Sequence, residues 1–167
     1  VELGARYPAA LDALRARRDK ARDQLLARDG SLGAGADFAS INRVLKDYHA
    51  NLALFDQLAP GDTRRRWLAS GAHDFLVEQR RYTAALEGSP YSSISSTFEM
   101  LIHERPLPPD TPNPEEVRRK SREYIVAWAA KNIEVLAGAG ELENARTLAG
   151  RLISYDAADT TRALIQR

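Results

Sequence analysis

Cysteine is absent from this chain of 167 residues, which excludes disulfides, thiolate metal sites and thiol catalysis. Its absence does not fix a compartment, because an exported protein of this size can lack cysteine too. Long apolar runs are missing as well: nothing approaches the roughly 18 apolar residues of a membrane-spanning helix. No charged-then-apolar leader stands in these residues. Nor is there an excess of one charge, since 24 Lys and Arg face 23 Asp and Glu for a formal net charge of +1. A dedicated DNA-binding module carries a basic excess or stripe, so nucleic acid is not an expected partner. β-Branched residues are sparse, whereas Leu, Ala and Arg dominate, all strong helix formers. The composition therefore predicts an all-α protein.

The apolar spacing divides the chain into helices. The first is predicted from Pro8, suited to an opening turn, to about Arg28, with a thin stripe of Leu11, Leu14, Ala21 and Leu25. Residues Asp29 to Gly35 read as a flexible glycine loop. A single helix is then expected from Asp37 to about Leu58, because Phe38, Ile41, Leu45, Tyr48, Leu52 and Phe55 follow one another at steps of three or four. Pro60-Gly61-Asp62-Thr63 breaks the chain and recaps it for a third helix carrying Trp67, Leu68, Phe75 and Leu76. A bend at Glu78 to Tyr82, a short helix over Thr83 to Leu86 and a stop at Gly88-Ser89-Pro90 follow. Tyr91 to His103 forms a fourth helix, with Tyr91, Ile94, Phe98 and Leu101 on one face. Residues Glu104 to Pro114 hold five of the eight prolines and read as an extended connector. Long helices from Pro114 to Gly138 and from Glu141 to Ser154 come next, then a new start at Asp156 to Asp159. The expected organisation is a single all-helical domain: residues 1–103, the connector at 104–114, and a C-terminal hairpin over 115–167. Val1 in place of methionine, and Arg167 within a run of helical composition, favour a piece of a longer polypeptide over a chain that has lost a leader.

The best-defined segment is Tyr124 to Leu152. Ile125, Trp128, Ile133 and Leu136 precede the small-residue turn Ala137-Gly138-Ala139-Gly140, and Ala145, Leu148 and Leu152 follow it. This is the pattern of two antiparallel helices packed at a tight corner. A second segment matches it at an offset of 60 residues: Asp74-Phe75-Leu76 against Glu134-Val135-Leu136, Tyr82 against Leu142, and Ala85 against Ala145. Over Trp67 to Leu86 and Trp128 to Leu152 the chain resembles a degenerate tetratricopeptide-like helical repeat. It departs from that pattern in placing His73 and Ile133 where a small residue is usual, and in lacking the family's period of about 34 residues. The resemblance implies a right-handed stack of hairpins with a concave face that takes peptides or partner proteins. It carries over no ligand-contacting residue.

Chemical signatures are few. His73, Asp74 and Glu78 form the most suggestive cluster, with Asp74 and Glu78 on one helical face. A metal site needs three or four convergent ligands and the HExxH pattern is missing, so a surface histidine with two solvated acids is the simpler reading. Ser92, Ser93, Ser95 and Ser96 near His103 lack the GxSxG turn that exposes a nucleophile. Gly30, Gly33 and Gly35 follow a charged helix instead of a strand, and no GK[ST] is present. Trp67 and Trp128, at helical spacing, are expected in the packing between hairpins. Arg64, Arg65 and Arg66 are the oddity: three cations at a helix N-terminus oppose the macrodipole, only partly offset by Asp62.

The sequence thus predicts antiparallel helical hairpins, stacked as a short α-solenoid or an irregular bundle, without catalytic residues or cofactor. The expected function is a scaffold or protein-interaction module in which Arg64, Arg65 and Arg66 orient an acidic or C-terminal peptide segment. An accessory domain of a larger enzyme is the second reading, and a small-molecule or metal binder using His73, Asp74 and Glu78 the third.

Overall fold

A computed structural model describes residues 7–27, 29–103 and 107–165, which form ten α-helices and no strand. The chain divides into two compact units, Val1–Ser89 and Pro90–Arg167. The first holds α1 (Pro8–Leu26), α2 (Leu32–Leu45), α3 (Tyr48–Gln57), α4 (Thr63–Gly71), α5 (His73–Glu78) and α6 (Tyr82–Gly88). The second holds α7 (Tyr91–Ile102), α8 (Pro114–Gly138), α9 (Leu142–Tyr155) and α10 (Asp159–Ile165). The proline-rich segment, described from Leu107, joins α7 to α8 inside the second unit.

The expected glycine loop is largely helix. Ser31 caps α2 by accepting a hydrogen bond from the Ala34 N–H at 3.2 Å, so α2 begins five residues before the expected Asp37. Gly33 and Gly35 lie within it. A glycine costs a helix up to about 1 kcal/mol relative to alanine, but at Gly35 a Cβ would come within 3.0 Å of the Trp67 backbone. The approach of α2 to α4 needs that missing side chain. The same holds at Gly71, against Ala36 and Ala39 of α2, and at Gly88, where a Cβ would fall 2.2 Å from the Ser70 nitrogen. The fully buried Leu68, Ala69 and Ala85 complete this small-residue packing, in which α4 lies between α2 and α6.

The single helix expected from Asp37 to Leu58 is two. Lys46 takes a left-handed φ of 57°, and the Asp47 N–H donates to the Asn42 carbonyl at 2.8 Å, ending α2 before α3 starts at Tyr48. Across this corner the buried Asn42 Nδ2 donates to Asn51 Oδ1 at 2.8 Å. The apolar spacing continued through the corner and so hid it. Arg80 (φ 54°) and Gly140 (φ 86°) close α5 and α8 with the same bond, from Arg81 N–H to the Leu76 carbonyl and from Glu141 N–H to the Leu136 carbonyl. This left-handed ending followed at once by another helix is what the 60-residue match detects. The Lys46 corner, outside that match, shares it, so the likeness belongs to the turn type and is no evidence of a tetratricopeptide-like repeat.

In the second unit Ile94 and Phe98 of α7, Ile125, Ala129, Val135 and Leu136 of α8, and Ala145, Leu148 and Leu152 of α9 are buried. At ~1.5–3 kcal/mol for a fully buried large aliphatic or aromatic side chain, these contacts dominate the unit's cohesion. The Arg151 guanidinium lies 5.0 Å above the Phe98 ring, donates to Ser95 Oγ at 2.8 Å and pairs with Glu99, tying α9 to α7. The expected limits of α8 are matched, Pro114 to Gly138.

Candidate functional site

The three arginines at the start of α4 do not form one patch. Asp62 caps the helix by accepting from the Arg64 N–H at 2.8 Å, and its carboxylate also receives the Arg64 guanidinium at 2.6 Å. These bonds hold the Asp62 carboxyl below its ordinary range, the side-chain bond first and the backbone bond second, and raise Arg64. Arg64 also donates to the Leu26 carbonyl at 3.2 Å. Arg65 is drawn into the fold. It donates to Glu87 of α6 at 2.8 and 3.0 Å and to the carbonyls of Phe55 and Leu58 at the end of α3, at 3.3 and 2.9 Å. Its guanidinium stacks 3.8 Å above the Phe55 ring. Arg66 is exposed.

The bend between α5 and α6 folds the chain back and brings Arg81 to the same ring, at 5.3 Å. Arg81 pairs with Asp56 at 2.5 Å, an interaction that lowers the Asp56 carboxyl, chiefly through the hydrogen bond, and raises Arg81. Arg65 and Arg81 are thus balanced by Glu87 and Asp56. The cluster fastens α3, α4 and α6 and leaves no surplus positive charge for a ligand.

The other sequence candidates are also absorbed locally. His73 Nδ1 lies 3.9 Å from Asp74, while Glu78 is exposed at the far end of α5. Among the described residues no three His, Asp or Glu side chains converge to hold a metal ion. Ser95 is engaged by Arg151, and His103 Nδ1 lies 3.0 Å from the Glu99 carbonyl of its own helix. Trp67 and Trp128 are both half-buried.

A hollow of about 650 Å³ lies beside Arg64 in the first unit, lined by Leu26, Ala27, Gly30, Asp62, Thr63 and Trp67, and a more apolar one lies in the second unit. A groove of about 560 Å³ opens between the end of α7, Leu107, the first half of α8 and Tyr155 of α9. Its size is within the range of ligand clefts. Leu101, Leu107, Ile125 and Tyr155 give it an apolar lining, extended outward by Met100 and Val117, which are 56% and 38% exposed. Arg118, Ser121 and Arg122 run along the α8 side, and His103 closes the α7 side. No carboxylate lines the groove among the described residues. From Pro114 to Tyr124, eleven residues of helix, α8 buries no side chain. At 1.5 Å per residue that is a bare arm of about 16 Å.

Sequence reading passed over Arg118 and Arg122 because they sit in a mixed-charge run. One signal was available: the apolar series of α8 starts only at Tyr124 and Ile125, so the preceding three turns hold Val117 alone among aliphatic residues. A helix with so little apolar surface is not held by its own core. No helix among the described residues is long and apolar enough to cross a membrane. Comparison with protein-family models, curated proteins and solved structures finds no match to this chain.

Proposed function

We propose that the chain is a non-catalytic helical interaction module and that its contact face is the α7–α8 groove with the bare arm of α8. The observation that carries this reading is the arm itself, three helical turns without a buried residue set beside an apolar cleft. The arm propagates from the packed half of α8 and leaves three turns of helix surface uncovered, along which a partner could pack. The exposed Met100 supports the same reading, since an unbranched, polarizable side chain adapts to varied apolar partners. The face differs from the expected one in its residues, Arg118 and Arg122 replacing Arg64, Arg65 and Arg66, and keeps its chemistry, a cleft with arginines on its rim.

The test is site-specific photo-cross-linking in the source cells. A photoreactive residue at Met100 should give a discrete adduct that Val117→Glu removes, and one at Gly61 of the first unit should give none. Adducts from Gly61 but not from Met100 would move the contact face to the first unit and overturn the proposal.

A further inference from the structure

The charge pattern of the α8 arm specifies its ligand, granted the reading of the groove as a docking surface. Along the arm Glu116 pairs with Lys120 at 2.8 Å and Arg119 with Glu123 at 2.6 Å, each one turn apart. Arg118 and Arg122, which line the groove, form no ion pair among the described residues. They are also one turn apart, so two like charges stand about 6 Å from each other along the helix and repel. Among the described residues the ion pairs of the arm are therefore made by side chains that do not line the cleft, and Arg118 and Arg122 face it with no lining carboxylate beside them.

We infer that the groove binds an amphipathic acidic helix from a partner protein, its apolar stripe on Leu101, Val117 and Ile125 and two carboxylates one turn apart on Arg118 and Arg122. Charge complementarity selects the acidic groups, and bidentate guanidinium–carboxylate pairing favours arginine at both places. Helical form follows from the walls. The α7 and α8 walls are helices and offer no sheet edge for strand addition, whereas a helix satisfies its own backbone. A membrane surface fits less well, because it takes a broad apolar face, whereas the exposed α8 arm offers Val117 and Tyr124 among charges of both signs, Glu115, Glu116 and Glu123 included.

The experiment uses the full chain and a fluorescein-labelled amphipathic peptide of about fourteen residues, leucines on one face and glutamates four residues apart beside them. Fluorescence anisotropy should show saturable binding, weakened about tenfold or more when the glutamates become glutamine. The variant Arg118→Glu/Arg122→Glu should lose the acidic peptide and gain its lysine counterpart. Both positions are exposed, and circular dichroism should show the variant folded. If the glutamine peptide binds equally well and Met100→Glu still removes it, the acidic specificity is overturned and the docking groove stands. If the acidic peptide fails to bind, or binds indifferently to Met100→Glu, both readings are overturned. Capture of the chain by phosphatidylserine vesicles through Arg118 and Arg122, with no peptide bound, would overturn the inference in favour of a membrane surface.

Discussion

Arg65→Met separates a structural arginine from a ligand-binding one. The substitution keeps an unbranched stem over Phe55 but removes the guanidinium, and with it two bonds to Glu87 and one each to the Phe55 and Leu58 carbonyls. Bonds to a charged partner contribute about 1.5–3 kcal/mol and those to the carbonyls about 1 kcal/mol each. The contacts are not additive, and Glu87, 28% exposed, regains some water. A loss of about 3 kcal/mol follows, a large share of the ~5–15 kcal/mol that holds a domain together. With a urea slope of about 2 kcal/mol per molar, the unfolding midpoint should fall by roughly 1.5 M. Arg66→Glu, on the exposed face of the same helix, should change stability by no more than about 0.5 kcal/mol, a midpoint shift of about 0.25 M. In the double variant with Glu87→Gln, the two losses should fall short of additivity, because either change breaks the same pair. An Arg65→Met midpoint within about 0.3 M of the unsubstituted protein would refute the reasoning, and would mean that Arg65 is available for a partner.

Two glycines should answer a methyl group in opposite ways. Gly88→Ala would drive a Cβ against the Ser70 and Ala69 backbone, at 2.2 and 2.6 Å, and should cost about 1–3 kcal/mol or more in thermal or chemical unfolding. Gly150→Ala in the middle of α9 meets nothing within 4 Å and should raise stability by up to about 1 kcal/mol; a loss would show that the exposed face of α9 is packed. The carboxyls of Asp56 and Asp62 are held below their ordinary range by Arg81 and Arg64. Their stabilisation is therefore complete above about pH 4, the ordinary carboxylate value, and is lost as the pH falls below it. Asp56→Asn should lower the unfolding midpoint at pH 7 and match the unsubstituted protein at low pH. A gap that persists unchanged into acid would refute the pairing. Phe98→Ala, emptying a fully buried site between α7 and Arg151, should cost about 3–5 kcal/mol in the same unfolding assays.

The α-helical class was legible because leucine, alanine and arginine act locally, through propensity and a 3.6-residue spacing that any helix must show. Proline and the Gly88-Ser89-Pro90 stop act locally too, and so α1, α7, α8 and α9 stood close to where the sequence put them. Two errors share a cause. Gly33 and Gly35 read as a loop, although close packing of α2 on α4 needs Gly35 without a side chain; Lys46 read as helix, although the corner there rests on a buried Asn42–Asn51 bond. Both depend on residues that meet only after folding. The arginines show it most clearly. Sequence alone marked Arg64, Arg65 and Arg66 as three cations in excess. Only the tertiary structure decided that Arg65 is neutralised by Glu87, that Arg81 returns to Phe55, and that Arg118 and Arg122 stand beside an apolar groove. Charge counts are fixed by the sequence, but which charges remain unpaired depends on distances of a few ångströms between residues far apart in the chain.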